Sequence, residues 1–143
     1  MFARFSKPAR AIMEAAQHEA RQYGHEYLGT EHILLGFTGP IEGASNLLTY
    51  VGISPSRVRL ELEQIGVDGD GLGSLGRLPQ TPRAKRVIEF AIEEAERSAS
   101  QIVYTPHLFV ALLRESQGVA AHVLNRLGLD LETARRELLK MSG

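Results

Sequence analysis

Cysteine is absent from these 143 residues, and that one absence removes disulfides, thiolate nucleophiles and cysteine-bound metals together. It suits a reducing compartment, and the expected location is the cytoplasm. An excess of either charge is also missing. Sixteen Lys and Arg stand against seventeen Asp and Glu, so no overall field recruits nucleic acid or an anionic membrane. No stretch approaches the roughly 18 consecutive apolar residues of a membrane span, and Met1 to Arg10 holds no apolar signal core. Lysine is confined to Lys7, Lys85 and Lys140, and no G-x-x-x-x-G-K-[ST] segment occurs, so the chain has no P-loop of its own. His18, His25, His32, His107 and His122 never form H-E-x-x-H or sit among clustered carboxylates, and no metal or cofactor is expected. The length and a 43% hydrophobic fraction fit one domain with an ordinary core.

What is present occurs twice. Ala9 to Ala20 reads ARAIMEAAQHEA and Ala84 to Ala95 reads AKRVIEFAIEEA, at a separation of 84 − 9 = 75 positions. Thr30, His32 and Ile33 meet Thr105, His107 and Leu108 at the same offset, and Gly43 meets Gly118. Beyond that the offset is 128 − 52 = 76, pairing Val51, Gly52 and Ile53 with Leu127, Gly128 and Leu129. Two copies imply a pseudo-twofold domain rather than a solenoid.

The periodicity predicts eight helices and no strand. Ser6 caps a first helix whose apolar positions Ala9, Ile12, Met13, Ala16, Ala20 and Tyr23 advance by three or four, and Gly24 stops it. Thr30 is expected to cap a short second helix, a third spans about Glu42 to Val51, and Ser54 with Pro55 opens a fourth that runs to Gly66. The second copy repeats the plan from Thr81 with Pro82, Thr105 with Pro106, Gly118 to Leu127, and Asp130 to about Met141. This gives one domain over 1–143, with repeat one at 6–66, a linker at 67–80 and repeat two at 81–141. Gly66, Gly69, Gly71, Gly73 and Gly76 make the connection a flexible one. The last three spell G-x-G-x-x-G, but a helix precedes them and Pro79 follows, so the strand and helix of a dinucleotide site are missing.

His32 and His107 stand in equivalent places just inside a helix start, where a histidine most simply hydrogen-bonds and packs. Glu31 and His32 are sequence neighbours and point to different helix faces, which argues against an acid/base pair. Charge is placed against the helix dipole: Lys7 and Arg10 lie in the first turns of helix one, and Arg83, Lys85 and Arg86 in those of helix five. Two readings stay open, pairing of Arg10 to Glu14 and Lys85 to Glu89, or an anion site at the helix starts. Phe2 and Phe5 precede the first cap, where one can staple the core and the other be a binding anchor.

Several consecutive motifs are specific. The opening FARFSKPARAI, the segment LGTEHILLGF with EGA after it, the run from Pro79 to Glu89 and the tail GVAAHVLNRLGLDLETAR resemble the double Clp amino-terminal domain, most closely that of the ClpC-type Hsp100 unfoldases. The likeness covers about positions 2 to 141. It implies an all-helical, non-enzymatic module of two four-helix repeats that projects above a Clp ATPase ring and receives adaptor proteins and tagged substrates. In the family this module also docks phosphoarginine and, in actinobacterial members, cyclic peptide antibiotics.

The resemblance carries over residue by residue. In the family's phosphoarginine sites the Glu of each Thr-Glu-His tripeptide faces the guanidinium group. Copy one keeps Thr30, Glu31 and His32, whereas copy two reads Thr105, Pro106 and His107, so its site is expected to be weak or absent. The helix-start pattern T-x-R-A is kept as Thr81, Pro82, Arg83 and Ala84 in copy two, while copy one has Ser6, Lys7, Pro8 and Ala9. Each copy thus lacks a different half. The expected phosphoarginine residues are Thr30, Glu31, Thr81 and Arg83. The antibiotic surface implies Phe2, Arg10, Met13, Gln17, Lys85 and Glu89, with Gln80 where the family tends to have Phe. The departures at Pro8, Gln80 and Pro106 point to a stand-alone paralogue acting as adaptor, decoy or antibiotic sequestrant, beside the reading as one domain of an unfoldase. From other classes come a small hydrolase using His32 and Glu31, and a purely structural repeat.

Overall fold

The computed structural model describes residues 2–41, 44–65 and 79–139. Glu42 and Gly43, the expected end of repeat one at Gly66, the linker from 67 to 78 with its G-x-G-x-x-G, and the expected end at Met141 lie outside them. Eight helices follow in order: α1 (Lys7–Gln22), α2 (Thr30–Gly36), α3 (Ala44–Tyr50), α4 (Pro55–Gln64), α5 (Pro82–Arg97), α6 (Thr105–Arg114), α7 (Val119–Arg126) and α8 (Leu131–Leu139). No strand occurs among the described residues, as the periodicity predicts.

The two long helices start alike. Ser6 Oγ accepts from the Ala9 amide at 3.2 Å and Thr81 Oγ1 from the Ala84 amide at 3.1 Å, each satisfying an amide that the helix itself leaves unpaired. Three other expected caps differ. Ser54 holds the N-cap position, but its hydroxyl turns to Ser56 Oγ at 2.9 Å. Thr30 and Thr105 are the first residues inside their helices, one place late for a cap. A histidine replaces the hydroxyl there: the Gly29 amide donates to His32 Nδ1 and the Tyr104 amide to His107 Nδ1, both at 2.9 Å. A ring nitrogen at the third helical position reaches back as a capping-box glutamate would.

Helices α2 and α6 form the centre, buried from Thr30 to Gly36 and from His107 to Leu113. Phe37 and Phe109 meet edge to face across the pseudo-twofold, 5.2 Å between centroids. Gly36 lets α1 lie directly on α2, because a Cβ there would stand 2.6 Å from the Ile12 carbonyl oxygen. Each copy carries one arginine–glutamate tie at matched positions. In copy one Arg59 grips Glu19 through two nitrogens, at 3.1 and 2.5 Å. In copy two Arg135 grips Glu94 at 3.2 and 2.8 Å, and Arg114 adds a bond at 3.0 Å.

Two short backbone crossings join the copies. Phe5 bridges Val103 in the segment before α6, and Gln80 bridges Leu28 in the segment before α2. The Ser6 amide donates to the Val103 carbonyl at 2.9 Å and the Thr81 amide to the Leu28 carbonyl at 2.9 Å. The start of each long helix is therefore tied to the short helix of the other copy.

Candidate functional site

That crossing decides which residues can act together. The start of α5 stands beside the start of α2, so the Thr81 to Ala84 pattern of copy two and the Thr30 to His32 tripeptide of copy one flank one cleft of about 400 Å³. Thr30, Glu31, Thr81 and Arg83 all line it, joined by Tyr27, Arg86 and Gln117. Each copy lacks a different part of the pattern, and the fold brings the retained parts together: Thr30 with Glu31 and Thr81 with Arg83 meet at the α2/α5 end. Lys7 with Pro8 and Pro106 fall at the α1/α6 end, while Gln80, the third departure, bridges Leu28 at the α2/α5 end.

Glu31 is the negative pole of the cleft, and only 8% of it is exposed. Its carboxylate folds back over Gly29, where a Cβ would collide with Oε1. It also accepts a hydrogen bond from the Tyr27 hydroxyl. Burial, then the Glu31 charge and this bond, raise the Tyr27 phenol above its ordinary pKa, so it remains a donor at neutral pH. Thr30 is buried, and its Oγ1 accepts from the Ala120 amide at 3.2 Å, fastening the start of α7 to the cleft wall.

Arg83 and Arg86 form the positive pole, beside the partial positive charge of the α5 start. Both ion-pair with Glu115: its Oε2 lies 3.0 Å from Arg86 Nη1 and its Oε1 3.8 Å from Arg83 Nε. Sequence reading places Arg86 at the helix start without assigning it to the site. Tyr27 and Glu115 belong to no motif of the sequence: Tyr27 meets Glu31, four residues on, through the turn that precedes α2, and only tertiary packing brings Glu115 to the arginines.

The histidines behave as structure. The Gly29 amide donates to His32 Nδ1, which therefore carries no proton, and the ring hydrogen on Nε2 goes to His25 Nδ1 at 2.7 Å. Burial, then the neighbouring His25, push the His32 pKa down to about 4. With both nitrogens occupied and no exposure, His32 cannot serve Glu31 as a base. Burial lowers the His107 pKa too, against an opposing pull from Glu94. Among the described residues no group of three His, Asp or Glu could hold a metal ion.

A second, smaller hollow of about 130 Å³ lies on α1, lined by Phe2, Arg10, Met13, Glu14 and Gln17. Four of the six residues expected on the antibiotic surface are thus together, whereas Lys85 and Glu89 are exposed on α5 and do not line it. Phe5 is core at 1% exposure and Phe2 rests on it half-buried, with ring centroids 5.1 Å apart. Arg10 donates from Nε to the Phe5 carbonyl at 3.0 Å rather than pairing with Glu14.

Comparison with known proteins agrees with this architecture. The family model of the Clp repeat (R) N-terminal domain matches residues 4–105 and 79–143. A ClpA homolog of Guillardia theta, named as an ATP-binding subunit of an ATP-dependent Clp protease, is 42% identical over all of this chain. The chloroplastic chaperone protein ClpC1 of Arabidopsis thaliana is equally similar, again over all of it. The chain spans 18% and 15% of the lengths of these two relatives. The N-terminal domain of ClpD from Arabidopsis thaliana superposes with a TM-score of 0.78 at 27% identity, covering 99% of each chain. The Hsp104 N-terminal domain of Candida albicans shares the fold at a TM-score of 0.77 and 18% identity, over 97% of this chain and 91% of that one. With the family model matched over residues 4–105 and 79–143, and ClpA and ClpC relatives 42% identical over all of this chain, the chain belongs to the Clp repeat N-terminal domain family.

Proposed function

We propose that the chain is a non-enzymatic receptor domain that presents adaptors or tagged substrates to a Clp ATPase ring, and that the α2/α5 cleft takes a phosphoarginine side chain. The observation that carries this is one cleft with opposite poles, Glu31 at one side and Thr81, Arg83 and Arg86 at the other. Phosphoarginine has the matching polarity. Its guanidinium N–H groups donate to the Glu31 carboxylate, and its phosphoryl oxygens accept from the arginines and the α5 start. A bare anion satisfies only one pole. Calorimetric titration with a phosphoarginine peptide is expected to give one site, lost on Glu31→Ala and weakened by raised salt. Two equal sites, or binding indifferent to Glu31→Ala, would refute the assignment.

A second ligand class has its own observation, the hollow lined by Phe2, Arg10, Met13 and Gln17, in which Phe2 rests on the Phe5 ring. A half-buried aromatic beside a flexible methionine suits an apolar cyclic peptide. Phe2→Ala should weaken such a peptide and leave phosphoarginine binding unchanged. The same titration separates the two surfaces.

A further inference from the structure

We infer that Glu115 is an internal anion that competes with ligand for the arginine pair and sets the affinity of the α2/α5 cleft; this rests on the phosphoarginine reading above. Arg83 and Arg86 lie three residues apart on one helix, at an end that already carries partial positive charge. Two like charges held there repel each other, and a nearby carboxylate relieves that repulsion. Glu115, the residue that closes α6, supplies that carboxylate from a side chain only 4% exposed, whereas those of Arg83 and Arg86 are 55% and 51% exposed. The arginines line the cleft, and Glu115, which they hold, does not.

The charges of the site then balance, Glu31 and Glu115 against Arg83 and Arg86. A phosphoryl group that comes onto the arginines does not meet two unsatisfied cations. It shares them with a carboxylate that is fixed in place and shielded from water, and that repels it through a poorly screened gap. Most of the five N–H donors of each guanidinium are not used by Glu115, so both anions can be held at once, at reduced affinity. Nothing equivalent exists at the other end of the molecule, where position 115 corresponds to Pro40 and positions 83 and 86 to Pro8 and Ala11.

The test is Glu115→Gln, which keeps the shape and one acceptor oxygen for Arg86 while removing the charge. Free phosphoarginine and inorganic phosphate are each titrated into the parent chain and the variant by calorimetry, with a thermal melt to confirm folding. Affinity for both is expected to rise on the order of fivefold. Glu115→Asp, which keeps the charge, should stay close to the parent. A damaged site does not bind more tightly, so a rise cannot come from misfolding. An unchanged or lower affinity in folded Glu115→Gln would overturn the inference and make Glu115 a brace for the arginines. If phosphate tightens on Glu115→Gln and phosphoarginine binds neither protein, the competitor role stands and the phosphoarginine reading falls. If no ligand binds either protein, both fall.

Discussion

The two ends where the copies meet have one backbone plan and opposite chemistry. Each has a bridge between extended segments, a hydroxyl cap on the long helix and a histidine cap on the short one. At the α2/α5 end the side chains around this frame are Tyr27, Glu31, Arg83, Arg86 and Glu115. At the α1/α6 end the repeat puts Ile102, Pro106, Pro8, Ala11 and Pro40 in the corresponding positions. Each of these five ionisable groups has an apolar counterpart, and the frame is unchanged. The lesson is a division of labour: what the copies share holds the fold, and what they do not share is free to bind.

The hardest test of that division is a shared buried charge. Glu94 is 2% exposed and bonded to Arg114 and Arg135, so removing its charge takes from the largely buried Arg135 its carboxylate partner and leaves Arg114 with the exposed Glu93. Glu94→Gln is expected to lower unfolding free energy by about 3 kcal/mol in urea titration. Its counterpart Glu19 has the single partner Arg59 and is 16% exposed, so Glu19→Gln should lower it by only about 1 kcal/mol. Equal losses would mean that Arg114 adds nothing and that the copies are equally braced.

Next comes the unshared part. Glu31→Gln keeps the size of the side chain and one acceptor for Tyr27, and removes the negative pole. Phosphoarginine affinity is expected to drop by at least about tenfold while the melting temperature moves little. Pro106→Ala at the equivalent position should change neither. A binding change at Pro106 would show that the α1/α6 end takes part after all.

A third test uses the shared histidines. His32 is held neutral with a folded pKa of about 4, below the ordinary 6.5 of an unfolded chain. The unfolded state therefore binds more protons between those values, and stability is lost as pH falls through that window. From pH 7 to 5.5 the loss from His32 should be about 1 kcal/mol, with His107 adding in the same direction. His32→Gln, which can still accept from the Gly29 amide, should flatten the slope. A slope unaltered by that change would place the titration elsewhere.

Much of this is legible in the sequence, and the gaps have physical reasons. Helix number, starts and stops follow from local periodicity, proline and glycine, and the offset of 75 reveals the repeat. The four expected phosphoarginine residues share one cleft, although the sequence presents them as parts of two incomplete sites. Nothing local says that the start of α5 meets α2 rather than α6. That pairing depends on the backbone bonds between Thr81 and Leu28, made across the linker. Thr30 looks like a cap because hydroxyls usually serve, and His32 takes that role from inside the helix. Glu115 escapes the sequence because its arginine partners are distant in the chain, and Tyr27 because its contact with Glu31 depends on the shape of a turn that has no motif.

The smallest expected effect concerns a difference between the copies that has no evident binding role. Helices α1 and α5 both end in a left-handed turn, closed by the His25 amide on the Ala20 carbonyl at 2.9 Å and by the Ser100 amide on the Ala95 carbonyl at 2.8 Å. The turn residue is Gly24 in one copy, with φ of 73°, and Ala99 in the other, with φ of 56°. A Cβ in this region costs about 1–2 kcal/mol, partly offset because alanine loses less freedom than glycine on folding. Ala99→Gly should therefore stabilise the domain by about 0.5–1 kcal/mol, and Gly24→Ala should destabilise it by a similar amount. The pair is best measured as a difference in urea midpoint at constant slope. Opposite signs would show that the two turns are equivalent and that copy two tolerates strain which copy one avoids. If Ala99→Gly were destabilising, the entropy of the unfolded chain would outweigh the strain, and the left-handed alanine would be a favourable choice at that position.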